Sequence, residues 1–196
     1  MKDIREVIKS RRSCRSYSPE ALSRGQIEAL IADAVWAPSG SNNQPWRFVV
    51  IQDRERLKRY SDTAKKQSLE ALRQGPAPTA QMKMYENFLT DPNSNIFYNA
   101  STLVVIYGDN SSRWHVYDCS MVAQNLMLLA AADGLGSCWI GFAHNILSSD
   151  AVKQELGVPA EYGLVAPIIL GHWAQDGPRP EVPRKSFTTS FVDSVH

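Results

Sequence analysis

The densest chemistry in the chain is Arg11-Arg12-Ser13-Cys14-Arg15: three guanidinium groups, a hydroxyl and a thiol within five residues. Planar guanidinium forks match phosphate oxygens bidentately, and a serine hydroxyl adds a short-range donor, so the run has the makings of an anion site. A solvated basic turn has the same composition, and only the rest of the chain separates the two. Cys14 is open to two readings. It is either a thiol with a pKa lowered by cations, or a small apolar filler with no cysteine close in sequence to resolve an oxidised form.

A second polar concentration is Ala37-Pro38-Ser39-Gly40-Ser41-Asn42-Asn43-Gln44-Pro45-Trp46. The two prolines exclude regular structure between them, and the hydroxyls, amides and flexible glycine suit either a loop that hydrogen-bonds a ligand or a connecting loop. Arg184-Lys185 in the proline-rich C-terminal stretch is available to a phosphate or to nothing. Other chemistries lack their residues. There is no G-x-S-x-G elbow and no H-E-x-x-H pair, and His115, His144, His172 and His196 are scattered without ligand spacing, so no metal is expected. Cys14, Cys119 and Cys138 are odd in number and contain no C-x-x-C, which argues against a disulfide framework and a zinc site.

At 196 residues, with 43% hydrophobic and 21% charged content, the chain is expected to form one soluble domain with a real core. A net charge of +1 argues against a nucleic-acid partner, which normally calls for a strong basic excess, so the arginine cluster suits one small anion. No apolar run approaches the ~20 residues needed to span a bilayer, and the N-terminus lacks a signal-peptide core, so no membrane association and a cytoplasmic location are expected.

The elements that must position these residues follow from periodicity and caps. Asp3 opens a first helix, with Glu6 three residues on and Ile4, Val7 and Ile8 on one face; its last turn delivers Arg11 and Arg12. Ser23 and Gln26 form a capping box for a second helix with Ile27, Leu30, Ile31 and Ala34 as its stripe. Residues 47–51 read as a strand too apolar to have one face in water, hence central. A helical pattern runs from Asp53 to about Leu72 and is stopped by Gly75-Pro76-Ala77-Pro78. From there to Asn99 the signals are mixed, and residues 60–99 are expected to include a mobile excursion that could cover a site. Residues 101–108 form a second buried strand. The longest helix, about 113–132, is apolar nearly all round in its second half and must be buried centrally, at a subunit interface, or both. Gly134 is its expected C′ residue. Gly134-Leu135-Gly136 is no dinucleotide loop, since it follows a helix and Trp139 stands where a third glycine belongs. Residues 137–142 give a third strand, Ser148 opens a short helix, and residues 164–170 give a fourth strand. Residues 172–196, with Pro178, Pro180 and Pro183, should extend away from the body.

In order and spacing, Arg11-Arg12-Ser13-x-Arg15, the 37–46 motif ahead of a strand, Gly134-Leu135-Gly136-Ser137-Cys138-Trp139-Ile140-Gly141, and a last strand closed by Gly171 resemble the FMN-dependent nitroreductase family. The resemblance covers nearly the whole chain except residues 62–99. It implies an α+β fold, a mainly antiparallel sheet wrapped by helices, in an intertwined homodimer with two FMN sites at the subunit interface. By position, Arg11, Arg12, Ser13 and Arg15 would meet the ribityl phosphate and the pyrimidine edge of FMN. Ser39, Gly40, Ser41 and Asn42, flanked by Pro38 and Gln44, would reach the partner subunit's FMN, and Arg184 would clamp the phosphate. Ile140 and Gly141 would line the flavin with a backbone N–H near N5. Trp173 departs from the family pattern, in which a proline is common at that place.

The implied activity is transfer of reducing equivalents from NAD(P)H through flavin to a nitroaromatic, quinone or related small acceptor, by ping-pong turnover. Flavin does the redox work and the protein supplies binding and electrostatics, so no side-chain nucleophile is needed. A fixed cation at N1 and the C2 carbonyl, assigned to Arg15, stabilises the charge that appears on reduction. The same resemblance leaves room for dehalogenation, ring oxidation or flavin destruction on the same fold, and for a flavin-storage protein without turnover.

Overall fold

The computed structural model describes residues 3–74, 79–175 and 181–192. Helix α1 (Ile4–Ser10) starts where the Asp3 carboxylate accepts the Arg5 amide, and α2 (Arg24–Ala34) starts at the expected Ser23–Gln26 capping box, reciprocal in both bonds. A 3₁₀ turn (Gly40–Asn42) precedes β1 (Trp46–Ile51). Then come α3 (Arg54–Gln74), α4 (Ala80–Thr90), β2 (Thr102–Asp109), α5 (His115–Ala132), β3 (Gly136–Trp139), α6 (His144–Ser148), α7 (Asp150–Glu155) and β4 (Tyr162–Gly171). The four strands make one antiparallel sheet in the order β1-β2-β4-β3, an α+β architecture.

The sheet is buried on both faces because the centres of β2 and β4, residues 103–107 and 164–170, are apolar throughout. Leu103, Val105, Tyr107 and Ile169 join a core with α3, α6 and α7, while Val104, Ile106, Ile168 and Leu170 join one with α2 and α5. Each fully buried Leu or Ile here contributes about 1.5–3 kcal/mol of transfer free energy. Helix α5 supplies Val122, Ala123, Leu126, Met127 and Ala130 to that second core, and ends as expected at Gly134 (φ 78°). The Leu135 amide reaches Ala130 O at 2.8 Å and the Gly134 amide reaches Ala131 O at 3.2 Å, the two bonds of a Schellman cap.

Four expectations need correction. Strand β1 is an edge strand, not a central one: its apolar residues are only partly covered and Arg47 and Val50 face solvent. The α1 stripe is buried only at Val7, with Ile4 and Ile8 exposed. Met121 and Gln124 in the apolar half of α5 are exposed in the single chain, so that face is left to the subunit-interface alternative. Residues 80–90 are helical, capped by Thr79 Oγ1 accepting the Met82 amide. The cap after β3 is Ser149 rather than Ser148, and a further turn of helix, α6, precedes it. The expected stop at residues 75–78 lies outside the described residues, as do Pro178, Pro180 and His196; residues 181–192 form neither helix nor strand and are exposed.

One proline shapes the end of β3. Pro167 lies in β4, between β2 and β3, and its carbonyl accepts the Ile140 amide at 2.9 Å. In an antiparallel pair the return bond would run from residue 167 to Ile140 O, and proline has no N–H to make it. Ile140 O is taken instead by the Ala143 amide at 3.2 Å. The strand therefore stops at Trp139 and turns through a 3₁₀ segment (Gly141–Ala143).

Candidate functional site

The arginine cluster is held against the open edge of β3. The Cys14 amide donates to Ser137 O at 2.9 Å, and Ser13 forms a parallel bridge with Ser137. This register allows no side chain at Gly136, where a Cβ would come within 2.6 Å of the Cys14 sulfur. Cys14 is fully buried there, which supports its reading as packing rather than as a reactive thiol. Tyr17 reinforces the corner, donating its hydroxyl to Cys14 O at 3.1 Å.

The five-residue motif divides its side chains. Arg12 turns back, donating to Lys9 O at 2.6 Å and Arg11 O at 2.9 Å at the free-carbonyl end of α1. The Cys138 thiol pKa is raised by burial above all, with the Arg15 and Arg11 charges and Ser13 offsetting only part of it. Of the three arginines, Arg15 is the one that lines a cavity of about 690 Å³.

Ile140 and Gly141 lie at that cavity together with Cys138 and Trp139. A Cβ placed on Gly141 would meet no protein atom within 4 Å, so the backbone there faces open space. Opposite stands an aromatic wall that sequence reasoning missed. Tyr85 meets Phe142 edge-on at 5.4 Å, Phe142 stacks near Phe88 at 6.3 Å, and Phe88 packs on Tyr98 at 5.6 Å. Met84, Tyr85 and Phe88 come from α4, inside the 60–99 stretch expected to cover a site. The overlooked signal was the Thr79 cap followed by Met82, Tyr85, Phe88 and Leu89 at helical spacing. Tyr98 completes the wall at the cavity that Arg15 also lines, and burial raises its phenol pKa while the Arg15 charge offsets part of that rise.

Residues 38–44 are elsewhere. Ser39 Oγ accepts the Gln44 amide at 3.0 Å, Gln44 Nε2 donates to Asn42 Oδ1 at 3.0 Å, and the Gly40 amide donates to Asp118 Oδ1 at 3.1 Å. Ser41, Asn42 and Gln44 have φ of 52°, 56° and 47°, left-handed values for non-glycine residues. Such strain collects at binding sites. The loop leads into β1, opposite Gly108 and Gly163, whereas residues 13–15 flank β3, opposite residues 168–171 of β4. Four inter-strand steps of about 4.8 Å and five residues of about 3.4 Å separate them, on the order of 25 Å. One chain does not bring the two motifs together, and Pro38, Ser41, Asn42 and Gln44 are solvent-exposed. Arg184 is exposed on residues 181–192.

Among the described residues no three His, Cys, Asp or Glu side chains converge on a possible metal position. His115 Nδ1 lies 2.7 Å from Ser112 O, a local contact of the α5 N-terminus. No helix among the described residues is long and apolar enough to cross a membrane.

The nitroreductase family profile matches residues 8–172. A protein of Archaeoglobus fulgidus, with a provisional NADH dehydrogenase/NAD(P)H nitroreductase name, is 30% identical over 177 residues, which cover 88% of this chain and 86% of the relative. A nitrobenzene nitroreductase of Ectopseudomonas oleovorans is 28% identical over 210 aligned positions, covering 91% and 89%. A nitroreductase of Desulfitobacterium hafniense, crystallised with bound FMN, superposes with a TM-score of 0.76 at 26% identity over 97% of this chain and 99% of the other. The match spans the arginine cluster, the strained loop, the cavity and all four strands, and the chain belongs to the nitroreductase family.

Proposed function

We propose that the chain binds FMN and passes reducing equivalents from NAD(P)H to a small nitroaromatic, quinone or related planar acceptor, alternating the two at one cavity. The observation that carries this reading is the cavity of about 690 Å³ with a bare Gly141 backbone, an Arg15 cation and an aromatic wall. These features fit a flat, electron-accepting ring, for which Gly141 leaves room and to which Ile140 and Gly141 present backbone.

FMN, when bound, supplies the two-electron chemistry, and the protein's own groups bind and tune. Arg11 and Ser13 hold the phosphate, where fork geometry counts. Arg15 stands at the ring edge, where its fixed charge offsets the negative charge that builds on reduction. The aromatic wall excludes water and stacks the acceptor.

The reading includes a homodimer. Residues 38–44 lie too far from their own chain's cavity to serve it, and their strained polar surface fits delivery to the partner's. Exposed Ile4 and Ile8 on α1, Val116, Tyr117 and Met121 on α5, and Trp36, 85% exposed after α2, provide apolar surface for such an interface. Arg184 then reaches the phosphate from the extended C-terminal segment.

Purified protein titrated with FMN should quench flavin fluorescence at about one equivalent per chain, and NADH or NADPH should bleach the bound flavin under anaerobic conditions. Absence of flavin uptake would remove the reading. Uptake without reduction by any pyridine nucleotide or ferredoxin system would make the chain a flavin-binding protein rather than an oxidoreductase.

A further inference from the structure

We propose that a second cleft, across the turn that carries Tyr98, binds a small organic carboxylate and thereby tightens acceptor binding. The coupling rests on the flavin reading above; the cleft itself does not. It encloses about 450 Å³, within the range of small-ligand sites, and lies between the start of α3 and residues 92–100. Its floor is apolar, with Leu57, Phe97 and Ala100 all buried.

The rim carries the polar chemistry. Arg54, Lys58 and Asp62 stand one turn apart along α3, exposed at the mouth. Lys58 Nζ donates to Asp62 Oδ2 at 2.6 Å, so these two charges offset each other and Arg54 supplies the net positive charge. The Arg54 guanidinium spends only Nη2, which donates to Pro19 O at 2.9 Å, and keeps the N–H groups of Nε and Nη1 for a ligand. Across the cleft, the side-chain amides of Asn93 and Asn99 make no hydrogen bond among the described residues. A guanidinium with unspent donors, two unspent amides and an apolar floor fit a carboxylate on a compact hydrocarbon body. Inorganic phosphate would match the cation and leave the floor unused.

Residues 95–100 separate this cleft from the cavity assigned to flavin. Ile96 and Tyr98 line the flavin cavity, whereas Asn95, Phe97 and Asn99 line the cleft, so the shared wall is one backbone thick. The first half of that wall is tied to α3. Lys65 Nζ donates to Asp91 O at 2.6 Å and Ser94 O at 3.0 Å, and the Ile96 amide donates to buried Ser61 Oγ at 3.0 Å. The second half is strained, with Tyr98 (φ 51°) and Asn99 (φ 56°) both left-handed.

A carboxylate held between Arg54 and Asn99 adds contacts that only this arrangement of Asn99 offers, and so favours it over relaxed alternatives. Tyr98, the next residue, is then held in the aromatic wall. By linkage, acceptor and carboxylate strengthen each other's binding by the same factor.

The test uses FMN-loaded protein and cyclohexanecarboxylate, whose puckered ring suits the cleft floor better than a slot for planar rings. In amide NMR spectra it should shift Lys58, Asn93 and Asn99 saturably. Cyclohexanecarboxamide, alike in shape and uncharged, should bind about tenfold more weakly, as should inorganic phosphate, and Arg54→Gln should weaken the carboxylate by about the same factor. Titrating the oxidised protein, which cannot reduce it, with a benzoquinone reads acceptor affinity from the flavin spectrum. Saturating carboxylate should tighten that affinity by about fivefold, the lower range of coupling between sites, and then reach a plateau. Asn99→Gly keeps the left-handed turn and removes the amide, so the tightening should vanish while the quinone still binds. Absence of the shifts, equal binding of carboxamide or phosphate, an unmoved quinone affinity, or one that weakens without limit as two ligands compete for one cavity overturns the proposal and leaves the flavin reading intact. Wild-type protein that takes up no FMN overturns the flavin reading and the coupling with it, while the shifts at residues 58, 93 and 99 still decide the site.

Discussion

The Gly40 amide donates to Asp118 Oδ1, 78 residues on in the chain, and Asp118 Oδ2 is buried without a hydrogen-bond partner among the described residues. A carboxylate held at 2% exposure for one bond to a loop is costly unless the loop's position matters. The bond fixes the first residue of a turn in which Ser41, Asn42 and Gln44 are all left-handed.

Asp118→Ala should therefore free residues 39–44 while leaving the sheet intact. Loss of a hydrogen bond to a charged group corresponds to about 1.5–3 kcal/mol, offset in part because the unpaired oxygen leaves as well. Amide exchange at Gly40 should accelerate by at least about tenfold, equivalent to 1.4 kcal/mol, and FMN affinity should fall. Asp118→Asn keeps a carbonyl acceptor and should preserve most of both. Equal effects of Ala and Asn on exchange would show that the charge, not the Gly40 bond, matters.

Gly136→Ala tests whether β3 sets the arginine cluster. The new methyl would sit 2.6 Å from Cys14 Sγ and 2.7 Å from its Cβ, with Tyr17 at 3.1 Å, and none of these is a flexible side-chain end. Overpacking of this kind typically costs about 1–3 kcal/mol. Relief requires residues 13–15 to move off β3, so FMN affinity should fall along with the melting temperature. Unaltered flavin affinity in a destabilised Gly136→Ala protein would detach the cluster from the site.

Much of this was legible in the sequence because it is local. The Ser23–Gln26 box, the Gly134 cap and the apolar β2 and β4 runs are decided within a few residues, and short-range rules find them. The arginine cluster was legible by composition. Its division was not, since Arg12 turning to Lys9 O and Arg15 reaching the cavity depend on the register of Ser13 against Ser137, a contact 124 residues long-range. Strand β1 read as central because Phe48, Val49 and Val50 are apolar, yet an edge strand at an interface has the same residues. The aromatic wall was missed because Tyr85, Phe88, Tyr98 and Phe142 come from α4, a strained turn and a 3₁₀ segment that only the folded chain brings together.

The subunit arrangement has a direct measurement. Sedimentation at micromolar concentration should give about twice the 21.9 kDa chain mass. Met121→Lys combined with Tyr117→Asp places two charges on exposed α5 positions outside the core, so each chain should still fold, while the dimer should dissociate and FMN affinity fall together. A monomer that retains FMN at wild-type affinity would refute the delivery of residues 38–44 to a partner's cavity.

The three arginines are expected to separate by role, since Arg12 turns back on the end of α1 and Arg15 is the one that lines the cavity. Arg12→Ala removes donors from Lys9 O and Arg11 O at the end of α1, so it should lower stability by about 1 kcal/mol and change flavin affinity little. Arg11→Ala should weaken FMN binding by about 1.5–3 kcal/mol, the range for a hydrogen bond to a charged group, while the flavin that does bind reacts normally. Arg15→Ala should bind oxidised FMN better than Arg11→Ala does, because its charge acts mainly on the reduced state. It should show instead a lower midpoint potential and slower hydride transfer. Arg15→Lys should recover much of the potential, where a point charge suffices, whereas Arg11→Lys should recover less if the phosphate requires the planar fork. Spectroelectrochemistry and stopped-flow reduction of FMN-saturated variants measure both quantities. A wild-type potential and reduction rate in Arg15→Ala would move Arg15 from the flavin ring to the phosphate.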